Sequence, residues 1–281
     1  MLRRFLLLLA FVFAQAAAGP HAQGQPVTGM RLYMFDCATL KNRDPGTYSL
    51  TRDQVQALDM SDPCFLVVHR QGTLLWETGL NDGVYNRTGG GGARHDIIGQ
   101  SLKSQLAEIG YKPTDITYLA MSHTHGDHSG NANDYANATW IVQKAEREFM
   151  FGATKPPNSD EYSALKDSKT IVIEGEKDYD VFHDGTVVLI ATPGHTPGHQ
   201  SLYLKLPKTG SLVLAGDLWH FPGERRFHTI PKVDMGKPSG VQTAASRDKI
   251  EALVKKTGAQ LWIQHDIISN LNLKKSPLFY E

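Results

Sequence analysis

Between positions 122 and 128 the chain reads Ser-His-Thr-His-Gly-Asp-His, so His123, His125, Asp127 and His128 put four potential metal ligands within six positions. Imidazole and carboxylate together suit zinc and its first-row neighbours, whereas calcium and magnesium prefer shells made of oxygen. The apolar run before them, 116–121, reads as a buried strand. Alternate side chains of an extended segment share a side, so His123 and His125 are expected to face together. Gly126 then allows a sharp turn that returns Asp127 and His128 to the same point. A polar loop that merely contains histidines is the plainer alternative, and the density of ligand types argues against it.

Three later segments repeat one arrangement, a strand followed by a ligand-type side chain. Residues 191–199 read Ala-Thr-Pro-Gly-His-Thr-Pro-Gly-His, with a Pro-Gly turn on each side of His195. The run 211–215 ends in Gly216-Asp217, and the run 260–264 ends in His265-Asp266. Each of these last two is weak alone, because an aspartate at a strand end usually serves a turn or cap.

The elements that must carry these residues are legible from pattern. Strands are expected over 30–37, then over 64–69 and 73–77 as a hairpin turned at Gln71-Gly72. A glycine-rich loop covers 89–92, and a helix opened by Asp96 places Ile98, Leu102, Leu106 and Ile109 on one stripe before Gly110 and Pro113. A strand at 140–143 leads into a short helix at 144–151. The second half is strand-rich, at 170–173, 186–191, 201–206 and 211–215. A helix over 243–256 stops at Gly258, and a last strand covers 260–264. Strands mixed with few helices fit an α/β (α+β) protein of two sheets flanked by helices better than a bundle or an all-β sandwich.

The first residues, Met-Leu-Arg-Arg followed by an apolar stretch at 5–13 and small residues at 14–18, have the form of a secretory signal peptide. The apolar part is shorter than the roughly 20 residues of a membrane span. Cleavage is expected after Ala18, with Ala22 as the alternative, and an uncleaved anchor is the competing reading. Residues 1–22 are thus read as signal peptide and leader, and 27–281 as the working domain of a periplasmic or secreted protein without stable membrane insertion. Charges balance at 29 basic and 29 acidic residues, and no basic run suggests nucleic acid. Cys37 and Cys64 lack the paired spacing of a structural zinc site. In an exported protein they either join the first two strands as a disulfide or stay as buried thiols.

In their order along the chain, the His-x-His-x-Asp-His run, the Thr-Pro-Gly-His turn, Gly-Asp at 217 and the terminal His265 resemble the metallo-β-lactamase superfamily. The resemblance spans nearly all of the chain after its leader and implies an αββα sandwich with two divalent metals, zinc foremost and iron, manganese or cobalt as alternatives. Carried over by position, His123, His125 and His195 would hold one metal and Asp127, His128 and His265 the other, with Asp217 bridging. The stretch 192–202, Thr-Pro-Gly-His-Thr-Pro-Gly-His-Gln-Ser-Leu, is similar to that of N-acyl-homoserine lactonases. That likeness implies opening of a lactone ring by a hydroxide shared between the metals, a small lactone or ester substrate, and compatibility with a homodimer. Asp127 and Asp217 would then serve catalysis as well as binding. One departure stands out. Those lactonases usually carry a tyrosine three residues after the bridging aspartate, and here the position is His220: either it takes over the hydrogen bond to substrate or the substrate differs.

The other histidines receive plainer expectations: His199 as packing behind the site, His69, His95, His183 and His228 as surface or loop residues, and His21 in the leader. Trp219, Phe221 and Phe227 could line an acyl pocket or simply pack, and a loop at 221–233 is expected beside the site. The rival readings on the same scaffold are a phosphotriester or phosphodiester hydrolase and a β-lactamase, the latter disfavoured by an aspartate at 217. Iron-dependent dioxygenases and flavodiiron proteins form a second class, separable by metal identity and stoichiometry.

Overall fold

Strand β2 (Met60–His69) is buried at every position, so it must be covered on both faces. Phe65 and Val67 turn into a core shared with Leu202, Leu204 and Leu212. Leu66 and Val68 turn the other way, against Leu102, Leu106 and Met150. One strand therefore requires a second sheet on one side and helices on the other. The computed structural model, which describes residues 29–83, 96–235 and 238–281, has that layering. The expected signal peptide and leader, the loop 89–92, His21 and His95 lie outside the described residues.

The first sheet has seven strands in the order β12-β1-β2-β3-β4-β5-β6. Antiparallel pairing joins β1 (Arg31–Leu40), β2 and β3 (Gly72–Trp76), and β12 (Phe279–Tyr280) pairs with β1. Parallel pairing continues through β4 (Tyr118–Ala120), β5 (Thr139–Gln143) and β6 (Thr170–Ile173). The second sheet has five strands, ordered β11-β10-β9-β8-β7. These are β7 (Tyr179–Asp180), β8 (Val187–Ala191), β9 (Gln200–Leu206), β10 (Gly210–Leu214) and β11 (Gln260–Trp262), antiparallel except for the β10–β11 pair.

Helices α1 (Leu102–Glu108) and α3 (Lys144–Phe151) pack on the outer face of the first sheet. On the second sheet α5 (Ser239–Thr257) sets Ile250 against Val213, Leu218 and Trp219. The result is the αββα sandwich with two mixed sheets. No helix among the described residues is long and apolar enough to cross a membrane. Cys37 on β1 and Cys64 on β2 form a disulfide.

Three expectations need correction. The first helix does not open at Asp96: it starts after Ser101, whose hydroxyl accepts the amide of Ser104 at 3.2 Å. Asp96 instead accepts the Lys41 amide at 2.8 Å and pairs with Arg43 at 2.9 Å, and Ile98 packs with Leu40 and Leu50. A capping serine inside the apolar stripe competes with the periodic pattern and wins. The last strand is also shorter than expected, and α6 (Ile267–Leu271) and β12 follow it. Finally, residues 222–227 are helix α4 (Pro222–Phe227), where a loop was expected, with Pro222 at its first position.

Candidate metal centre

The exits of β4, β8, β10 and β11 bring seven side chains together. His123, His125, His195 and Asp217 form one group and Asp127, His128 and His265 another, and within each group the ligand atoms lie within 4.8 Å of one another. The turn after β4 is a short helix, α2 (Gly126–Ser129), following an extended His125. A helical turn thus achieves what glycine was expected to permit by freedom alone. Asp127 and His128 follow Gly126 within that turn, and Thr78 binds the His128 carbonyl through both its amide and its hydroxyl, at 2.8 and 2.9 Å.

Asp217 stands between the groups. Its Oδ1 lies 3.1 Å from His128 Nε2 and 3.0 Å from His265 Nε2. Its Oδ2 lies 3.5 Å from His195 Nε2, 3.7 Å from His123 Nε2 and 3.2 Å from His220 Nε2. The position is fixed from behind. Gly216 has φ +57°, and a Cβ there would meet Ser122 Cβ at 2.6 Å, so only glycine brings the chain this close. The Asp217 amide donates to His199 Nε2 at 3.1 Å. His199 is buried, and desolvation presses its pKa down to about 3, so it stays a neutral acceptor. It packs behind the centre, as expected.

What orients the imidazoles is found at their Nδ1 atoms. His123 Nδ1 meets Ser122 Oγ at 2.9 Å, and His265 Nδ1 donates to the Ser61 carbonyl at 2.7 Å. Carboxylates stand behind three others: Glu77 3.3 Å from His128, Asp234 3.4 Å from His195, and Glu224 3.4 Å from His220. A proton held at Nδ1 leaves the Nε2 lone pair facing inward, as metal-binding histidines require; behind His195 and His220 the carboxylate is a charge contact, since neither Nδ1 makes a hydrogen bond. His123 Nε2 and His195 Nε2 both lie close to His125 Nδ1, at 2.8 and 3.1 Å. Lone pairs crowded in this way repel unless a cation sits among them. His128 Nε2 and Asp217 Oδ1, both buried and 3.1 Å apart, face each other without forming a hydrogen bond. The residues therefore fit two divalent cations.

Electrostatics agree with a site built for positive charge. Burial opposes ionisation of Asp217, yet His265, His128 and His220 hold it well below the usual carboxylate range. Burial and the neighbouring His128 and His125 push His123 well below the ordinary imidazole value. Buried Asp62, on β2, is lifted to about 8 by desolvation and by Asp127.

Several contributors went unread in the sequence: Glu77, Asp234 and Glu224 behind the rings, and buried Glu146 on α3. Glu146 accepts the Thr124 amide at 2.9 Å, the Thr196 hydroxyl at 2.7 Å and the Gly198 amide at 2.9 Å, tying both histidine loops to one helix. Tyr48 was also missed; its ring lies 4.4 Å from that of His220. Other assignments shift. His69 is not a surface residue but buried at the end of β2, stacked on Phe182 at 4.2 Å and 3.1 Å from Asp184. Of the two alternatives for Trp219, packing holds: it is core, in one cluster with Ile250. Arg225 pairs with Glu251 at 2.8 Å, and His183 and His228 are exposed, as expected. A hollow of about 620 Å³ against β11 and α6 includes none of the seven side chains.

A four-layer sandwich with such a centre at its sheet edge defines a class: residues 61–259 match the metallo-beta-lactamase superfamily, and the chain belongs to it. Among curated relatives it is similar to the N-acyl homoserine lactonase AttM of Rhizobium radiobacter, 31% identical over 90% of this chain and all of the relative. It is also 30% identical to the N-acyl homoserine lactonase AiiA of Bacillus thuringiensis subsp. kurstaki, over 73% of this chain and 80% of that protein. A solved N-acyl homoserine lactone hydrolase with the product N-hexanoyl-L-homoserine at its catalytic metal centre superposes with a TM-score of 0.71 at 25% identity. That match covers 90% of this chain and the whole of the other.

Proposed function

We propose that the protein opens the lactone ring of N-acyl-homoserine lactones by metal-dependent hydrolysis, as a quorum-quenching enzyme. The observation that carries the reading is the set of inward-facing imidazoles around the shared carboxylate of Asp217, in a chain 31% identical to AttM over 90% of its length. His123, His125 and His195 would hold one cation, Asp127, His128 and His265 the other, and Asp217 both. Zinc suits this nitrogen-rich set best, with iron, manganese or cobalt as alternatives. When bound, such a pair supplies an acidified water and Lewis-acid polarisation of a carbonyl.

The chain's own part is orientation. Asp127 is the more exposed of the two carboxylates and orients the attacking water. His220 presents Nε2 beside Asp217, within reach of the carbonyl oxygen or of the alcohol that leaves as the ring opens. A groove of about 340 Å³ reaches His265 and is lined in part by Val55, Ala57, Phe227 and Ile268, which suits an acyl chain. The signal-like N-terminus and the Cys37–Cys64 disulfide support export to an oxidising compartment.

Rates on an N-acyl-homoserine lactone, an aryl phosphotriester and nitrocefin test the assignment. The lactone should be turned over fastest by a wide margin. A higher kcat/KM on either of the others would replace it with the corresponding hydrolase.

A further inference from the structure

His220 is restrained on several sides by groups that bind no metal themselves. Glu224, on α4, is fully buried. Its Oε2 accepts the backbone amides of His220 and Phe221 at 2.6 and 2.8 Å and lies 3.4 Å from His220 Nδ1. Its Oε1 accepts from Arg247 Nη2 at 2.8 Å. Arg247, also buried, reaches out of α5 and donates from Nε to the Leu218 carbonyl at 2.7 Å and from Nη1 to the Thr229 carbonyl at 2.5 Å. The guanidinium therefore grips the chain one residue after Asp217 and again beyond α4. Tyr48 closes one side of the imidazole, leaving Nε2 aimed at Asp217 Oδ2.

A helix cap alone does not require this arrangement. Accepting two amides at the start of α4 would satisfy Glu224 as a capping residue, but a fully buried carboxylate is costly unless paired. Here the pairing cation comes from another helix and holds both ends of the segment that carries His220. The same device, a carboxylate behind Nδ1, stands behind His128 and His195.

We propose that Glu224, braced by Arg247, is the positioning residue for His220, holding its ring so that Nε2 faces the metal centre and the substrate oxygens. The effect on turnover rests on the lactonase reading; the effect on ring geometry does not. With Glu224 neutralised the ring loses its rear partner and swings on χ2. Catalysis that passes through His220 falls while metal binding stays.

The test is a double-mutant cycle on the zinc-loaded protein with N-hexanoyl-homoserine lactone, combining Glu224→Gln with His220→Phe. Glu224→Gln should lower kcat by about ten- to a hundredfold, the usual range for groups supporting a site from behind. KM and two zinc ions per chain should be retained, and in the His220→Phe background the substitution should change kcat less than twofold. In parallel, the ¹⁵N resonances of His220 should shift in Glu224→Gln while those of His265, backed by the Ser61 carbonyl, hold still. Should Glu224→Gln fail to fold, Arg247→Lys is expected to repeat the pattern at smaller amplitude. Equal losses of kcat in both backgrounds, or unmoved His220 resonances, would overturn the proposal. A wild type inert toward lactones would overturn the functional reading instead, and the resonances would still judge the positioning.

Discussion

His123, His128, His195 and His265 have two ends with separate duties, one turned to a carboxylate, hydroxyl or carbonyl and the other inward. Only the inward half was legible in the sequence. His123, His125, Asp127 and His128 announce themselves by spacing, and His195 by its flanking turns. Glu77, Asp234 and Glu224 reach the site through tertiary contact and carry no local signature. Asp217 is the residue on which both groups depend, since each of its oxygens faces a different set of imidazoles. Asp217→Ala is therefore expected to lose more than about a hundredfold in activity and one of two metal equivalents by elemental analysis. An active variant holding both metals would exclude the bridging role. His220→Phe should lower kcat with both metals retained, and an unchanged kcat would make His220 a bystander.

At the scale of elements, helix α3 connects the two histidine loops through Glu146, which meets Thr124 in one and Thr196 and Gly198 in the other. The approach is close: a Cβ on Gly198 would lie 2.3 Å from the Glu146 amide nitrogen. Three donors favour the carboxylate form of Glu146, but burial outweighs them and lifts its pKa from 4.5 to about 7. Between those values the folded protein keeps a proton that the unfolded chain has released, so this group's contribution to stability falls as pH rises from about 4.5 to about 7 and is level above. Glu146→Gln cannot ionise. Thermal melts across that window should show the wild type losing ground to Glu146→Gln as pH rises, and parallel melting curves would refute the assignment. The helix over 144–151 was readable from its pattern, whereas its clamp was not, because period marks the apolar face and not a lone buried carboxylate. The first helix was misplaced for a related reason: Ser101 caps it inside a stripe that periodicity treats as continuous.

Over the whole molecule, apolar alternation and strand-end motifs were enough to read two sheets and their helices. The two-residue edge strand β12 carries too little pattern to be seen before its partner β1 is in place. The cysteine pairing, left open by spacing, is decided by β1 and β2 lying side by side. That disulfide packs against Gly79, which in turn holds the chain just after the turn that carries Asp127 and His128. Gly79, whose Cβ would sit 2.5 Å from Cys37 Cβ, accepts the Gly130 amide at 2.9 Å just beyond α2. Removing the bridge by Cys37→Ser and Cys64→Ser, across a separation of 27 residues, should cost about 3 kcal/mol in denaturant unfolding. A loss below about 1 kcal/mol would contradict a constraining role. A pair of cations held by seven residues and used to open a lactone is the central proposal. The most direct measurement is lactone ring opening by metal-stripped protein as zinc is added back in known amounts. The rate should be negligible at the start, climb, and level off at two equivalents per chain; full turnover by the stripped protein would contradict it.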